Sequence, residues 1–170
     1  MTEFPKRKST RLKNYDYASA GAYFITICTK DRECTLSTIS VGQGLAPADN
    51  ILSTYGNIAQ EQLMTLESKY NHIKLDKYVI MPNHIHILIS LEDKTAGASP
   101  CPTISDIVCT FKSLTTRLCR ENGFKDKQLF QTSFHDHIIR DRYDYDKIWE
   151  YIDTNPLKWE TDCFYTKKEQ

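Results

Sequence analysis

The chain predicts an α+β fold of the split βαβ, ferredoxin-like kind: an antiparallel sheet with two helices on one face, and an additional helix at the C-terminal end. Three observations predict it. Residues 73–91 hold two apolar runs around Met81-Pro82-Asn83, which reads as strand, tight turn, strand. Two stretches with apolar residues at helical spacing, 53–70 and 105–122, each lie between strand-like runs. The order is therefore strand, helix, strand, strand, helix, strand, helix, and its first six members match the split βαβ arrangement.

The elements follow in turn. Residues 21–29 are β-branched and aromatic and read as a buried first strand. Residues 40–50, rich in Gly, Pro and small residues, read as a loop. Ile58, Leu63, Leu66 and Tyr70 mark the apolar side of one helix over 53–70. In the second strand of the hairpin, alternation sends His84, His86 and Leu88 one way and Ile85, Ile87 and Ile89 the other. Residues 92–103 form a second polar loop. Thr103 or Ser105 can then cap a helix with Ile107, Val108, Phe111, Leu114 and Leu118 on its apolar side. Residues 134–140 read as the fourth strand. The last helix runs from about Tyr143 to about Asn155, where Pro156 stops it or bends the chain, with Trp149 and Ile152 expected to anchor it.

Composition narrows the class. With 170 residues, 40% hydrophobic and 26% charged, the sequence fits one soluble domain. A basic arm (1–20), a main domain (21–160) and a short tail (161–170) are its expected parts. No apolar stretch approaches a membrane span and no secretory signal is present, so a cytoplasmic protein without membrane contact is expected. Six cysteines without Cys-x-x-Cys spacing read as reduced core thiols. Formal net charge is zero, but Lys6, Arg7, Lys8, Arg11 and Lys13 form a basic run without an acid. Such a run can track a phosphate backbone or simply solubilise the terminus. Lys112, Arg117 and Arg120 can form a positive flank on the second helix, or belong simply to its solvated face.

Two imidazoles two residues apart on a strand face can share a metal ion; without one they are two strand histidines with no common role. Tyr151 and Asn155, four apart, face the same way on the last helix. Tyr151 offers a phenol, or is one more packed aromatic. Asn155 offers a carbonyl oxygen. Two imidazole nitrogens, one amide oxygen and open positions suit Mg²⁺ or Mn²⁺. Neutral imidazole is the ligand form, so acid below about pH 6 is expected to weaken such a site.

These motifs resemble a known family. His84-Ile85-His86 after Met81-Pro82-Asn83 is similar to the HUH motif (U hydrophobic) of single-strand DNA transposases. Leu129-Phe130-Gln131, then 134–140, then Tyr151-Ile152-x-x-Asn155-Pro156-Leu157-Lys158 resemble the REP-associated tyrosine transposases, over about residues 23–159. The resemblance implies a ferredoxin-like fold, His84 and His86 as metal ligands, Asn155 as the third, and Tyr151 on the late helix as the nucleophile. It implies a transposase that nicks and rejoins single-stranded or hairpin DNA through a 5′-phosphotyrosine. Lys6, Arg7, Lys8, Arg11, Lys112, Arg117, Gln131, His137 and Arg140 are the candidate DNA contacts. His135 and His137 form a second His-x-His, on a strand that could neighbour the first. A non-catalytic single-strand binder and a water-using metallophosphoesterase are the competing readings, and both a monomer and a dimer are compatible with the sequence.

Overall fold

The computed structural model describes residues 17, 19–40, 49–92 and 102–165. Among these, six strands and four α-helices follow in order: β1 (Gly21–Cys28), β2 (Ser37–Ser40), β3 (Asp49–Leu52), α1 (Thr54–Met64), α2 (Leu66–Lys69), β4 (Ile73–Ile80), β5 (His84–Leu91), α3 (Ile104–Glu121), β6 (His135–Ile139) and α4 (Arg142–Thr154). Four strands make one sheet in the order β4-β5-β1-β6, with every neighbouring pair antiparallel. With α1 and α3 as the connecting helices, this is the ferredoxin-like arrangement expected from the sequence.

Alternation along the central strands separates two layers. Ile25 and Ile27 of β1 join Ile85, Ile87 and Ile89 of β5 in a core completed by Leu63, Ile107 and Phe111 from the helices. The opposite face carries Phe24, Thr26, His84, His86 and Leu88, and α4 lies over it, with the Tyr151 ring edge-on to Phe24. The sheet is thus covered on both sides, which is why β5 is apolar or buried along nearly its whole length.

Local chemistry sets the helix boundaries. Thr103 and Asp106 form a reciprocal capping box at α3, and the Asp141 carboxylate accepts from the Asp144 N–H at α4. Pro156 ends α4 as expected and opens a 3₁₀ turn over Pro156–Thr161. Among the described residues no helix is long and apolar enough to cross a membrane.

Four expectations need correction. The helix over 53–70 is two helices, α1 and α2, interrupted at Thr65, whose hydroxyl donates to the Gln62 carbonyl at 2.9 Å and competes with helical continuation. The stretch 40–50 is not all loop: β2 and β3 pair as a small separate sheet, built from short polar strands that give no apolar alternation. Residues 41–48 lie outside the described ones. The cysteines are not uniformly core thiols, since Cys28 and Cys119 are buried while Cys109 and Cys163 are exposed. Ile152 is buried as expected, but Trp149 is 39% exposed and carries the Lys77 ammonium over its ring.

Gly56 in α1 lies close against the backbone of the loop at Leu36. A Cβ there would sit 2.0 Å from the Leu36 carbonyl oxygen, a backbone atom that cannot swing aside. Gly56→Ala is expected to cost roughly 1–3 kcal/mol or more through overpacking, despite alanine's higher helix propensity. A urea midpoint equal to or above wild type would contradict that packing.

Candidate functional site

Two histidines stand at the centre of the face under α4. His84 and His86 are 0% and 1% exposed, with ring centroids 4.5 Å apart. Burial obliges each imidazole nitrogen to find a partner or remain costly. His84 Nδ1 lies 2.9 Å from Asn83 Oδ1. The Asn83 amide is oriented by its Nδ2, which donates to the carbonyls of Arg32 (3.3 Å) and Phe164 (2.8 Å). Its oxygen is left to accept, so His84 carries its proton on Nδ1 and a lone pair on Nε2. That Nε2 is buried and has no hydrogen-bond partner. His86 Nδ1 pairs with Thr26 Oγ1 at 2.8 Å, and its Nε2 lies 3.3 Å from the Tyr151 hydroxyl.

The electrostatics agree with neutral rings. Burial pushes the His84 imidazolium down to about 3, helped by the Arg32 guanidinium. Burial and then His84 hold His86 well below the usual imidazole range, against an opposing pull from Asp162. This moves the acid limit expected from an ordinary histidine to lower pH, because the buried rings resist protonation. Neutral imidazole is the metal-ligating form.

Oxygen donors converge on the same place. Ligand atoms of His84, His86 and Asp162 all lie within 4.8 Å of one another. Asn155, 1% exposed at the end of α4, donates from Nδ2 to Asp162 Oδ2 at 3.0 Å. Its Oδ1 is buried and unpartnered. A buried amide oxygen and a buried imidazole lone pair, both unsatisfied beside a carboxylate, are what a divalent cation would satisfy. The residues therefore fit the metal on their own chemistry.

Tyr151 is the α4 tyrosine whose hydroxyl reaches this cluster. Tyr143 is 69% exposed, and Tyr145 stacks on Trp149. Burial, then the charges of Asp162 and Cys163, push the Tyr151 phenol up to about 12. Hydrogen bonding adds smaller effects, lowering from Asn155 and raising from Asp162. The phenol is thus protonated at neutral pH.

The chain after α4 covers the cluster. The Phe164 ring lies 4.6 Å from His84 and the Trp159 ring 6.1 Å. Arg32 sits over Phe164 at 5.0 Å and donates to the Cys163 carbonyl.

The remaining expected DNA-binding residues are scattered. Lys6, Arg7, Lys8 and Arg11 lie outside the described residues. Lys112, Arg117 and Gln131 share a groove on the α3 side of the sheet. His137 is exposed and pairs with Asp144 at 2.7 Å, and His135 and Arg140 are also exposed. The two His-x-His pairs share a sheet face, since Thr26 lies in register between His86 and His135, but they do not converge into one cluster. Sequence reasoning missed Asn83, Thr26 and Asp162. The first sits inside the hairpin motif and the second follows from strand alternation, so both had a signal. Asp162 had none, because only the 3₁₀ turn returns it to the histidines.

Residues 49–155 match the model of a family described as Transposase IS200 like. An uncharacterized protein of Haemophilus influenzae is 34% identical, with 94% of this chain and 93% of that protein covered. Among solved structures, the REP-associated tyrosine transposase bound to a REP hairpin matches with a TM-score of 0.59. It is 19% identical, with 93% of this chain and 74% of that one covered. At that identity the likeness is one of fold.

The buried histidines make stability depend on pH. Their folded values lie below the ordinary 6.5, so in acid the unfolded chain binds more protons than the folded one. Their contribution is fully present above about pH 6.5 and is lost as pH falls toward about 3, by at most about 1.4 kcal/mol per pH unit for each ring. Urea unfolding in chelator should give a lower stability at about pH 5 than at about pH 7, with a flatter profile for His84→Gln/His86→Gln. A profile unchanged in the double variant would mean that other groups set the dependence.

Proposed function

The chain belongs to the IS200-like transposase family, and on that basis we propose that it is a metal-dependent enzyme that nicks and rejoins single-stranded DNA, with Tyr151 as nucleophile. One observation carries the reading: the Tyr151 hydroxyl lies 3.3 Å from His86 Nε2, at the edge of a cluster whose ligand atoms fit a divalent ion. His84 Nε2, His86 Nε2 and Asn155 Oδ1 would hold Mg²⁺ or Mn²⁺, with Asp162 as a further oxygen donor. Such an ion supplies positive charge for the scissile phosphate oxygens when bound.

The chain's own residues do the rest. Asn83 and Thr26 hold the two rings in place through Nδ1, the outer interaction that orients a ligand. The 36% exposure of Tyr151 leaves the phenol reachable from solvent. Attack forms a bond from its Oη to phosphorus and breaks the bond from phosphorus to the 3′ oxygen. The phenol gives up one proton and the departing 3′ oxygen gains one, so the step balances. The 5′-phosphotyrosine keeps the phosphoester bond energy, and attack by another 3′-OH restores the phenol and joins the strands.

A REP hairpin is the ligand of the similar solved structure, which supports hairpin DNA as the substrate here. The basic residues Lys6, Arg7, Lys8, Arg11, Lys112, Arg117 and Arg140, with Gln131 and His137, are proposed to bind it. The arm (1–20), the main domain (21–160) and the tail (161–170) are proposed as its parts.

Incubation with a labelled single-stranded hairpin oligonucleotide and Mn²⁺ should give a denaturation-resistant protein–DNA adduct. Tyr151→Phe should abolish it, whereas Tyr143→Phe and Tyr145→Phe should retain it. Peptide mapping to any other residue refutes the assignment, and cleavage without an adduct points to a water-using hydrolase.

Metal binding is separable from turnover. Mn²⁺ should raise the melting temperature of wild type, and His84→Ala should remove that shift. Asp162→Asn should reduce it, since losing the carboxylate weakens an oxygen-liking site by roughly tenfold or more. An unaltered Mn²⁺ shift in His84→Ala would exclude the cluster as the site.

A further inference from the structure

A second site lies around the edge of the sheet, between α3 and the segment that leads into β6. It is a groove of about 400 Å³, walled on one side by α3 and on the other by residues 127–132. The α3 wall is a stripe at helical spacing: 109, 112, 113, 116, 117 and 120. Four cations line the groove, Lys112, Arg117, Arg120 and Lys127, and among the described residues no carboxylate lines it. Glu121 pairs with Arg117 at 3.8 Å on the exposed helix surface, and Asp126 precedes Lys127 in the chain, but neither lines the groove. In a chain with zero formal net charge, this is a local concentration of one sign.

The groove is built rather than incidental. Lys112 donates to the Thr132 carbonyl at 2.8 Å and so ties the two walls together. Burial holds its ammonium below the usual lysine range, a cost that an arriving anion would offset. Gln131 and Gln128 add neutral donors between the charges.

Its position relates it to the histidines. The Gln131 N–H donates to the Cys28 carbonyl, and Lys30 N–H to the Leu129 carbonyl, so the outer wall is hydrogen-bonded to the end of β1. Cys28 in turn stands opposite His84 on β5. Gln131 is therefore two strand spacings from His84, roughly 10 Å.

We propose that this groove is a track for the sugar–phosphate backbone of the DNA strand flanking the scissile phosphate, which Lys112, Arg117, Arg120 and Lys127 engage without reading bases. The proposal rests on the strand-transfer reading above, and it extends it from the reacting phosphate to the strand that leads away from it. Phosphate rather than base recognition follows from the lining. Among the described residues Phe130 is the one aromatic there, and it is itself 3% exposed, so no stacking platform is offered.

The test uses a fluorescein-labelled oligothymidine of about twenty nucleotides, longer than a usual single-strand site. Its affinity is measured by anisotropy against salt. Arg117→Gln/Lys127→Gln leaves the Lys112 tie and the histidine cluster intact. Each phosphate-binding cation removed should flatten the slope of log affinity against log salt by roughly 0.7, so by about 1.4 for the pair. Arg117→Glu/Lys127→Glu should weaken binding further at low salt, with an unchanged melting temperature. Inorganic phosphate at the ionic strength of the salt series distinguishes the sources: competition beyond that of chloride, lost in the variant, would mean a site for free phosphate and overturn the backbone assignment. An unchanged slope overturns it as well. The adduct assay is read in parallel on wild type. An adduct with no slope change refutes the groove alone, whereas a slope change with no adduct refutes the nucleophile and leaves the groove standing.

Discussion

Everything at the centre of this molecule depends on burying two uncharged imidazoles side by side. An imidazolium there would carry a desolvation cost that no neighbouring carboxylate fully offsets, and Arg32 makes it worse. The rings are therefore kept neutral, and neutrality forces a decision about where each proton sits. Asn83 makes that decision for His84, because its own amide is fixed by two carbonyls. Once the proton is on Nδ1, the remaining lone pair is left for the cluster that His84 forms with His86 and Asp162. Helix α4 adds to the same enclosure, since Tyr151 brings a hydroxyl to 3.3 Å from His86 Nε2.

The two faces of β5 divide the labour. Ile85, Ile87 and Ile89 lock the strand into the helical layer, so the histidines inherit a rigid mount. Helix α4 is held less by apolar burial, with Ile152 as its one buried residue, and more by polar ties such as Lys77 to Asp153 and His137 to Asp144. A pair of nitrogen donors on a buried strand thus faces oxygen atoms carried on α4 and the turn that follows it.

Much of this was legible in the sequence because it is written in periodicities. The alternation of 84–89 separates histidines from isoleucines, and the i,i+4 spacing of Tyr151 and Asn155 puts both on one helix face. Thr103 or Ser105 marks the start of α3, and Thr103 is the cap. Apart from Thr26, which alternation could have found, what escaped is non-periodic. Nothing local marks Asp162 as a neighbour of His84, because their proximity is created by a 3₁₀ turn. Strands β2 and β3 are four residues each and polar or mixed, below the length at which alternation separates from chance. The break at Thr65 depends on one hydroxyl choosing a carbonyl. The second His-x-His had the right pattern, but it lies on an edge strand, where exposure and Asp144 give His137 a different partner.

The path of the chain after α4 has a practical side. Asn83 holds the Phe164 carbonyl, and the Phe164 ring lies against His84. An affinity tag or a reporter domain joined directly after Tyr165 would begin within a few residues of the histidines. A polyhistidine tag would place competing imidazoles beside a cluster that depends on just two. Recombinant preparations meant for metal titration are better tagged elsewhere, or cleaved before any affinity is recorded.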